Sequence, residues 1–248
     1  MKGFWAIFKR ELGALFVTPL AWVLITSFLL LQGLHFFWIV SQFAGDPAAA
    51  AGSGPIETFF GQTVLLYPPL LVVCPLLTMR LLAEERRSGT IEPLLAAPVG
   101  AAAVVLGKYA ATLVTYLAMW APTVGYVVLL GRYGEVDWPV ALAGYLGVAT
   151  VGAGYLAVGT MTSALTRSQL TAATLSALVL IGLFTLGVGE FIVDEGPVRE
   201  LSAYVSLWGH MNDFARGIVD SRRLVLQATL VAFPLFVAVR AVDSWRLE

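Results

Sequence analysis

Long apolar runs alternate with short polar pieces from one end of the chain to the other. The runs cover roughly residues 19–41, 59–79, 104–130, 140–164, 170–189 and 224–239. A helix that crosses hydrocarbon needs about 20 mainly apolar residues. Five runs reach that length, and the sixth, 16 residues long, carries Arg240 just beyond its end, which can snorkel and lengthen it. The first run is 23 residues long, against about 7–15 for the apolar core of a secretory signal. No small-residue cleavage site directly follows it, so it is expected to be a retained span. The pattern predicts an all-α polytopic membrane protein of six transmembrane helices, with residues 1–248 forming one membrane domain and no internal repeat.

Three polar pieces lie outside the spans. In "KGFWAIFKRELGALF", Phe4, Trp5, Phe8, Leu12, Leu15 and Phe16 fall on one arc of a helix, with Lys2, Lys9 and Arg10 opposite. This predicts an interfacial amphipathic helix over residues 1–17, aromatics such as Trp5 and Phe8 toward the acyl boundary, Lys9 and Arg10 toward anionic headgroups, and Pro19 at the bend into the first span. Between spans five and six, Tyr204, Leu207, Met211, Phe214 and Ile218 recur every three or four residues, which predicts one or two amphipathic helices on the outer face. Asp220 and Ser221 offer N-caps for the sixth span. The outer piece "GDPAAAAGSGP" has the composition of a flexible linker.

Composition narrows the choices. The chain is 58% hydrophobic and 12% charged, with a mean hydropathy of +0.83, whereas soluble domains carry about 25% charged residues. A net charge of −1 argues against nucleic acid as a partner. With both termini placed inside, ten of the fifteen lysines and arginines fall on the cytoplasmic side, which is the orientation the positive-inside rule favours. Cys74 is alone and lies in an apolar run, so it reads as a buried small hydrophobe rather than a disulfide or metal ligand. His35 and His210 have no ligand-spaced neighbours and read as packing or interfacial residues. No metal or cofactor site is expected in this chain. No phosphate-cradling G-x-x-x-x-G-K-[ST] occurs, so the chain is expected not to hydrolyse ATP itself. The span interiors hold no Asp, Glu or Arg, and Lys108 near one span end is the lone lysine, which argues against an ion-coupled pump. Gly144, Gly147, Gly152, Gly154 and Gly159 make the fourth span a small-residue helix, suited to close packing within the chain or, on the sharper reading, against another subunit.

The most polar stretch, "EERRSGTIEPLLAAPVG" (Glu84 to Gly100), falls between spans two and three. Thr90 is a suitable N-cap, Glu92 suits a helix start, Pro93 is tolerated in a first turn, and Pro98 ends the helix. Ile91, Leu94 and Leu95 cluster on one face of the two turns this leaves. A free helix that short is marginal in water, so the stretch is either a solvated loop or a helix held by the membrane surface or a partner. Glu84, Gly89, Thr90, Glu92, Leu94, Leu95, Pro98, Gly107 and Lys108 together resemble the signature of the type-2 ABC transporter permeases. The amphipathic N-terminal helix, six spans and helical outer connection extend the resemblance over the whole chain. "HMNDFARGIVDSRRL" (His210 to Leu224) is similar to the same place in gliding-motility-associated permeases. Pro93 departs from the pattern, where an ordinary helix former is expected.

The resemblance implies a non-catalytic permease subunit of an ABC exporter in a bacterial or archaeal inner membrane. It implies a separate ATP-binding-cassette subunit that binds ATP and Mg, and a second permease chain, identical or related. The short helix would be the coupling helix seated on the ATPase, with Ile91, Leu94 and Leu95 as apolar anchor and Glu84, Glu85, Arg86, Gly89, Thr90, Glu92 and Pro98 completing the coupling site. The alternative is a non-transporting anchor or mechanotransmission subunit driven by the same ATPase. Neither reading identifies a cargo.

Overall fold

The computed structural model describes residues 2–45, 54–90, 99–134, 136–193 and 196–245. Every regular element among them is helical: α1 (Lys2–Val17), α2 (Pro19–Gly45), α3 (Pro55–Glu57), α4 (Tyr67–Thr78), α5 (Ala83–Ser88), α6 (Ala101–Trp120), α7 (Val124–Tyr133), α8 (Trp138–Leu165), α9 (Gln169–Val188), α10 (Pro197–Val205), α11 (Leu207–Ala215) and α12 (Ser221–Ser244). Six helical stretches are long and apolar enough to cross a membrane: Pro19–Gly45, Val64–Ser88, Ala101–Tyr133, Trp138–Leu165, Gln169–Ile192 and Ser221–Ser244. They are numbered spans one to six below.

The spans run past the apolar stretches for a physical reason. Charged or polar residues at their ends are paired or capped and therefore join the helices. Span six is not short: Asp220 accepts from the Arg222 N–H at 2.9 Å, Arg223 pairs with Asp213 at 2.5 Å, and the Arg240 guanidinium lies over the Phe236 ring at 5.4 Å. Span two begins at Val64 rather than near residue 59. Thr58–Gln62 is a separate π-helical turn, and Thr63 is extended, before Pro68 and Pro69 start α4 in its first turn. Phe59, Phe60 and Gly61 of the π turn are buried. A Cβ at Gly61 would collide with Ala215 and the backbone of Asn212, so only glycine lets the π turn and α11 approach this closely.

Span four is the spine. The share of its most apolar window that is buried is 61%, against 17% for span five and 33% for span one, which places α8 at the centre and those two at the periphery. Its glycines receive side chains from around the bundle: Phe60 at Gly144, Phe214 at Gly147, Tyr116 at Gly152 and Thr78 at Gly159, each where a Cβ would clash. The small-residue face is therefore spent on packing within the chain. Tyr109 and Tyr116 of span three donate to the carbonyls of Ala153 and Val148, at 3.0 and 2.9 Å. Phenols buried among apolar helices need such partners. Cys74 is fully buried in the same core.

α1 is helical as its periodicity predicts, but its inward face is not the aromatic arc alone. Phe4, Ile7, Phe8, Glu11, Leu12, Leu15 and Phe16 turn inward, while Trp5 is half exposed and Lys9 and Arg10 point outward. A Cβ at Gly107 would press on Ile7 at 3.0 Å, so α1 is clasped directly to α6. The bend at Thr18 is held by Trp22, whose indole N–H donates to the Phe16 carbonyl at 2.8 Å.

Between spans five and six the amphipathic stripe forms two helices, α10 and α11. Leu207, Met211 and Phe214 are buried, whereas Tyr204 and Ile218 at its ends are largely exposed. Each histidine has an internal partner: His35 lies 2.6 Å from the Thr63 hydroxyl, and His210 lies 2.9 Å from the Tyr204 carbonyl and 3.2 Å from the Gln227 amide.

Candidate functional site

The charged extension of span two sits at the end of the bundle that carries α1 and the end of span six. α4 stops at Thr78, and the chain turns through residues 79–82 before α5. Pro75 lies inside α4 and lacks an N–H. Ser163 of span four bridges the break: its hydroxyl accepts from the Leu82 and Ala83 N–H groups, both at 3.1 Å, and donates to the Met79 carbonyl at 3.3 Å. One buried side chain thus supplies the cap that α5 lacks in its own sequence. At the far end Gly89 adopts φ +72°, the left-handed conformation that favours glycine after a helix.

Glu85 carries the centre of the site. Its Oε1 lies 2.7 Å from Arg10 of α1 and 3.0 Å from Lys108 Nζ of span three. Glu11 of α1 completes the group, 2.8 Å from both Lys108 and Arg10. The Lys108 side chain is only 2% exposed, and the two carboxylates 14% and 16%. Lys108 and the two carboxylates are therefore largely desolvated, while Arg10, half exposed, balances the second anion from the solvent side. Burial alone would raise the Glu11 carboxyl, but Lys108 and Arg10 outweigh it and hold the group below its ordinary value of 4.5. Burial likewise opposes the charge of Arg10, and Glu11 and Glu85 together raise it.

The neighbouring residues reach other helices. Glu84 accepts from the Gln169 amide of span five, and Gln169 in turn accepts from Arg80 Nε at 3.2 Å. Arg86 stacks over the Trp245 ring at the end of span six, 4.7 Å from its centroid. A helix of six residues is thereby joined through side chains to α1 and to spans three, four, five and six.

Of the predicted residues, Glu84, Glu85 and Arg86 converge on this hub with Arg10, and Gly89 ends it. Thr90 turns its hydroxyl back to Ser88, at 2.8 Å, and toward the Glu85 carbonyl. The N–H groups it is expected to cap belong to a segment outside the described residues. Ile91, Glu92, Leu94, Leu95 and Pro98 lie in that segment, as does Pro93. Trp5, Phe8 and Lys9 also lie on α1, where Trp5 and Phe8 pack edge to face at 5.5 Å.

The residue patterns alone do not find Glu11, Ser163, Gln169 or Trp245. For Glu11 a signal exists: a lone lysine inside a span calls for a carboxylate partner, and "KRE" supplies one. For Ser163 and Gln169 no local signal exists. Among the described residues, no three His, Cys, Asp or Glu side chains group as a metal site would require.

No curated protein matches the chain significantly. A family profile described as ABC-2 family transporter protein matches residues 46–219. That span covers most of the chain and includes the second to fifth spans, the hub helix and both helices of the outer connection. With six membrane-crossing helices around it, the match identifies the chain as a multi-pass permease subunit of an ABC transporter, a member of the ABC-2 family.

Proposed function

We propose that this subunit is the mechanical receiver of an ABC exporter, in which residues Ile91 to Ala97 seat on a separate ATP-binding subunit and α5 distributes the load. The observation that carries the reading is the side-chain tethering of α5 to α1 and four spans, immediately before that segment. A displacement delivered at Ile91, Leu94 and Leu95 enters α5 within a few residues. From there it reaches spans three and five through paired charges and amides rather than through a slack loop. Glu92, Gly89, Thr90 and Pro98 shape the entry and exit of the segment. ATP and Mg belong to the partner, since the chain has no phosphate-binding loop.

On this reading the hub end and both termini face the cytoplasm of a bacterial or archaeal cell, residues 1–248 act as one membrane domain, and α1 rides at the inner interface with Lys9 toward headgroups, while Arg10, expected there too, is engaged by Glu11 and Glu85. A second permease chain completes the translocation unit. Within the family, the outer connection is read as similar to that of gliding-motility-associated permeases. In support, His210 is buried, Gly217 ends α11 with φ +76°, and Asp220 caps span six.

The test is co-expression with the neighbouring ATP-binding subunit, purification in lipid, and ATP hydrolysis by the complex. Leu94→Asp puts a charge into the apolar anchor and is expected to weaken the complex at least about 100-fold, or about 2.7 kcal/mol. Glu85→Gln is expected to leave the complex assembled but lower substrate-stimulated hydrolysis. If Leu94→Asp assembles and transports as the unaltered chain does, the coupling role is wrong. If hydrolysis couples to force but no transported molecule is found, the mechanotransmission reading replaces transport.

A further inference from the structure

Spans one and two do not close on each other along their whole length. A cavity of about 490 Å³ lies between them, within the range of about 300–1,000 Å³ in which small ligands are held. Leu24, Phe28 and Val73 form its buried floor, and Leu31, Leu34 and Val72, each at least half exposed, form its open rim. A smaller cavity of about 130 Å³ lies nearer the hub, under the elbow between α1 and span one. Leu24 and Leu76 line both cavities, so the two follow one another along a single seam. Arg80 stands at the hub end of that seam.

The polar groups along the seam are already spent. Ser27 Oγ donates to the Val23 and Leu24 carbonyls, at 2.8 and 3.1 Å, Thr18 donates to the Ala14 carbonyl, and the His35 ring is held by Thr63 at 2.6 Å. The larger cavity therefore suits hydrocarbon, since its lining offers water too few partners. A helix of another chain is too large for it. A cylinder about 10 Å across and as long as Leu24 to His35, about 17 Å, would fill roughly 1,300 Å³. That length is close to one leaflet's half of a ~30 Å hydrocarbon core. One acyl chain fits both limits.

The hub end of the seam selects the headgroup. Glu11 also lines the smaller cavity, but its charge is met by Lys108 and Arg10. Glu84 is one amide removed, sharing Gln169 with Arg80. Arg80 is exposed, uses its Nε for Gln169, and has no carboxylate paired with it among the described residues. A phosphodiester is an anion that arrives attached to a hydrocarbon chain, and arginine is suited to it.

We propose that this seam holds a resident anionic phospholipid in the leaflet at the hub end, with one acyl chain between spans one and two and its phosphate against Arg80. The lipid bridges span one and, through Arg80, the Gln169 amide that also holds Glu84 of α5. The site does not depend on the ATP-binding subunit or on which face of the membrane the hub occupies.

The experiment is native mass spectrometry of the full chain, released from detergent micelles with phosphatidylglycerol or phosphatidylcholine of identical acyl chains added. One phosphatidylglycerol per chain is expected, held about fivefold more tightly than phosphatidylcholine, or ~1 kcal/mol, the worth of one arginine at an anionic lipid surface. Arg80→Gln is expected to erase that preference, and Arg80→Lys, which keeps the charge, to retain it. Ser27→Phe pushes a ring into the cavity from an exposed position. It is expected to weaken both lipids about tenfold with the unfolding temperature unchanged. Val72→Phe does the same from the opposite wall and serves if Ser27→Phe folds poorly. Equal retention of the two lipids by the unaltered chain, or a preference that survives Arg80→Gln, overturns the proposal. Unchanged retention of phosphatidylglycerol in both phenylalanine variants overturns it too. So does a dimer whose formation expels the lipid, which gives the seam to a second copy of the chain.

Discussion

Lys108 sets the energetics of the ion cluster because it is the most deeply buried of the four charges. Removing one partner of a buried pair costs about 3–5 kcal/mol, since it strands the other charge. Glu11→Gln leaves Lys108 with Glu85 alone and is expected to fall at the lower end of that range. Lys108→Met leaves two carboxylates that still reach solvent, so it is expected to cost less than Glu11→Gln. The double variant should cost less than the two single effects added, by about 1–3 kcal/mol, measured by unfolding in lipid. A pH dependence follows from Glu11. Its folded-state value lies below the ordinary 4.5, so its contribution is fully present above that pH. It is lost as pH falls through the lowered value. Unfolding temperature should therefore drop on titration below about pH 4.5 in the native chain, and less steeply in Glu11→Gln. The charged run at Glu84–Arg87 was legible as an extension of span two, but not its partners. Glu11 and Lys108 are 97 residues apart in sequence, and a single sequence holds no record of which distant charges meet.

The helices show the same division. Hydropathy alone placed all six spans, because lipid imposes a length and a composition that few other structures need. It missed their ends wherever a polar residue was paired by a distant one, as Ser163 does for α5 and Asp213 for the start of span six. The glycines of span four were legible as a packing face but not as four separate sockets. Gly152→Ala drives a methyl into the Tyr116 ring, and overpacking of this kind costs about 1–3 kcal/mol. Tyr116→Leu should restore part of that loss. Gly182, with nothing within 4 Å of its would-be Cβ, is a control in which alanine is expected to be neutral or stabilising by up to about 1 kcal/mol. Yield and unfolding temperature of these three variants test this.

At the scale of the whole molecule, burial grades from span four outward to span five. Local opening free energies follow burial and contact density. Amides of span four are therefore expected to exchange at least about 100-fold more slowly than those of α10 in deuterium exchange on nanodiscs, with α5 closer to the former despite its short length. Equal protection of α5 and α10 would mean that its side-chain tethers do not hold. The position of Cys74 bears on how such motions can be followed. It is the chain's single thiol and is fully enclosed between spans. A maleimide fluorophore therefore meets no reactive sulfur until span two leaves the core, and its signal reports global unfolding in the native sequence. A cysteine placed at exposed Ser88 would then label alone, so the hub can be watched through a turnover cycle without first stripping the protein of its own thiol.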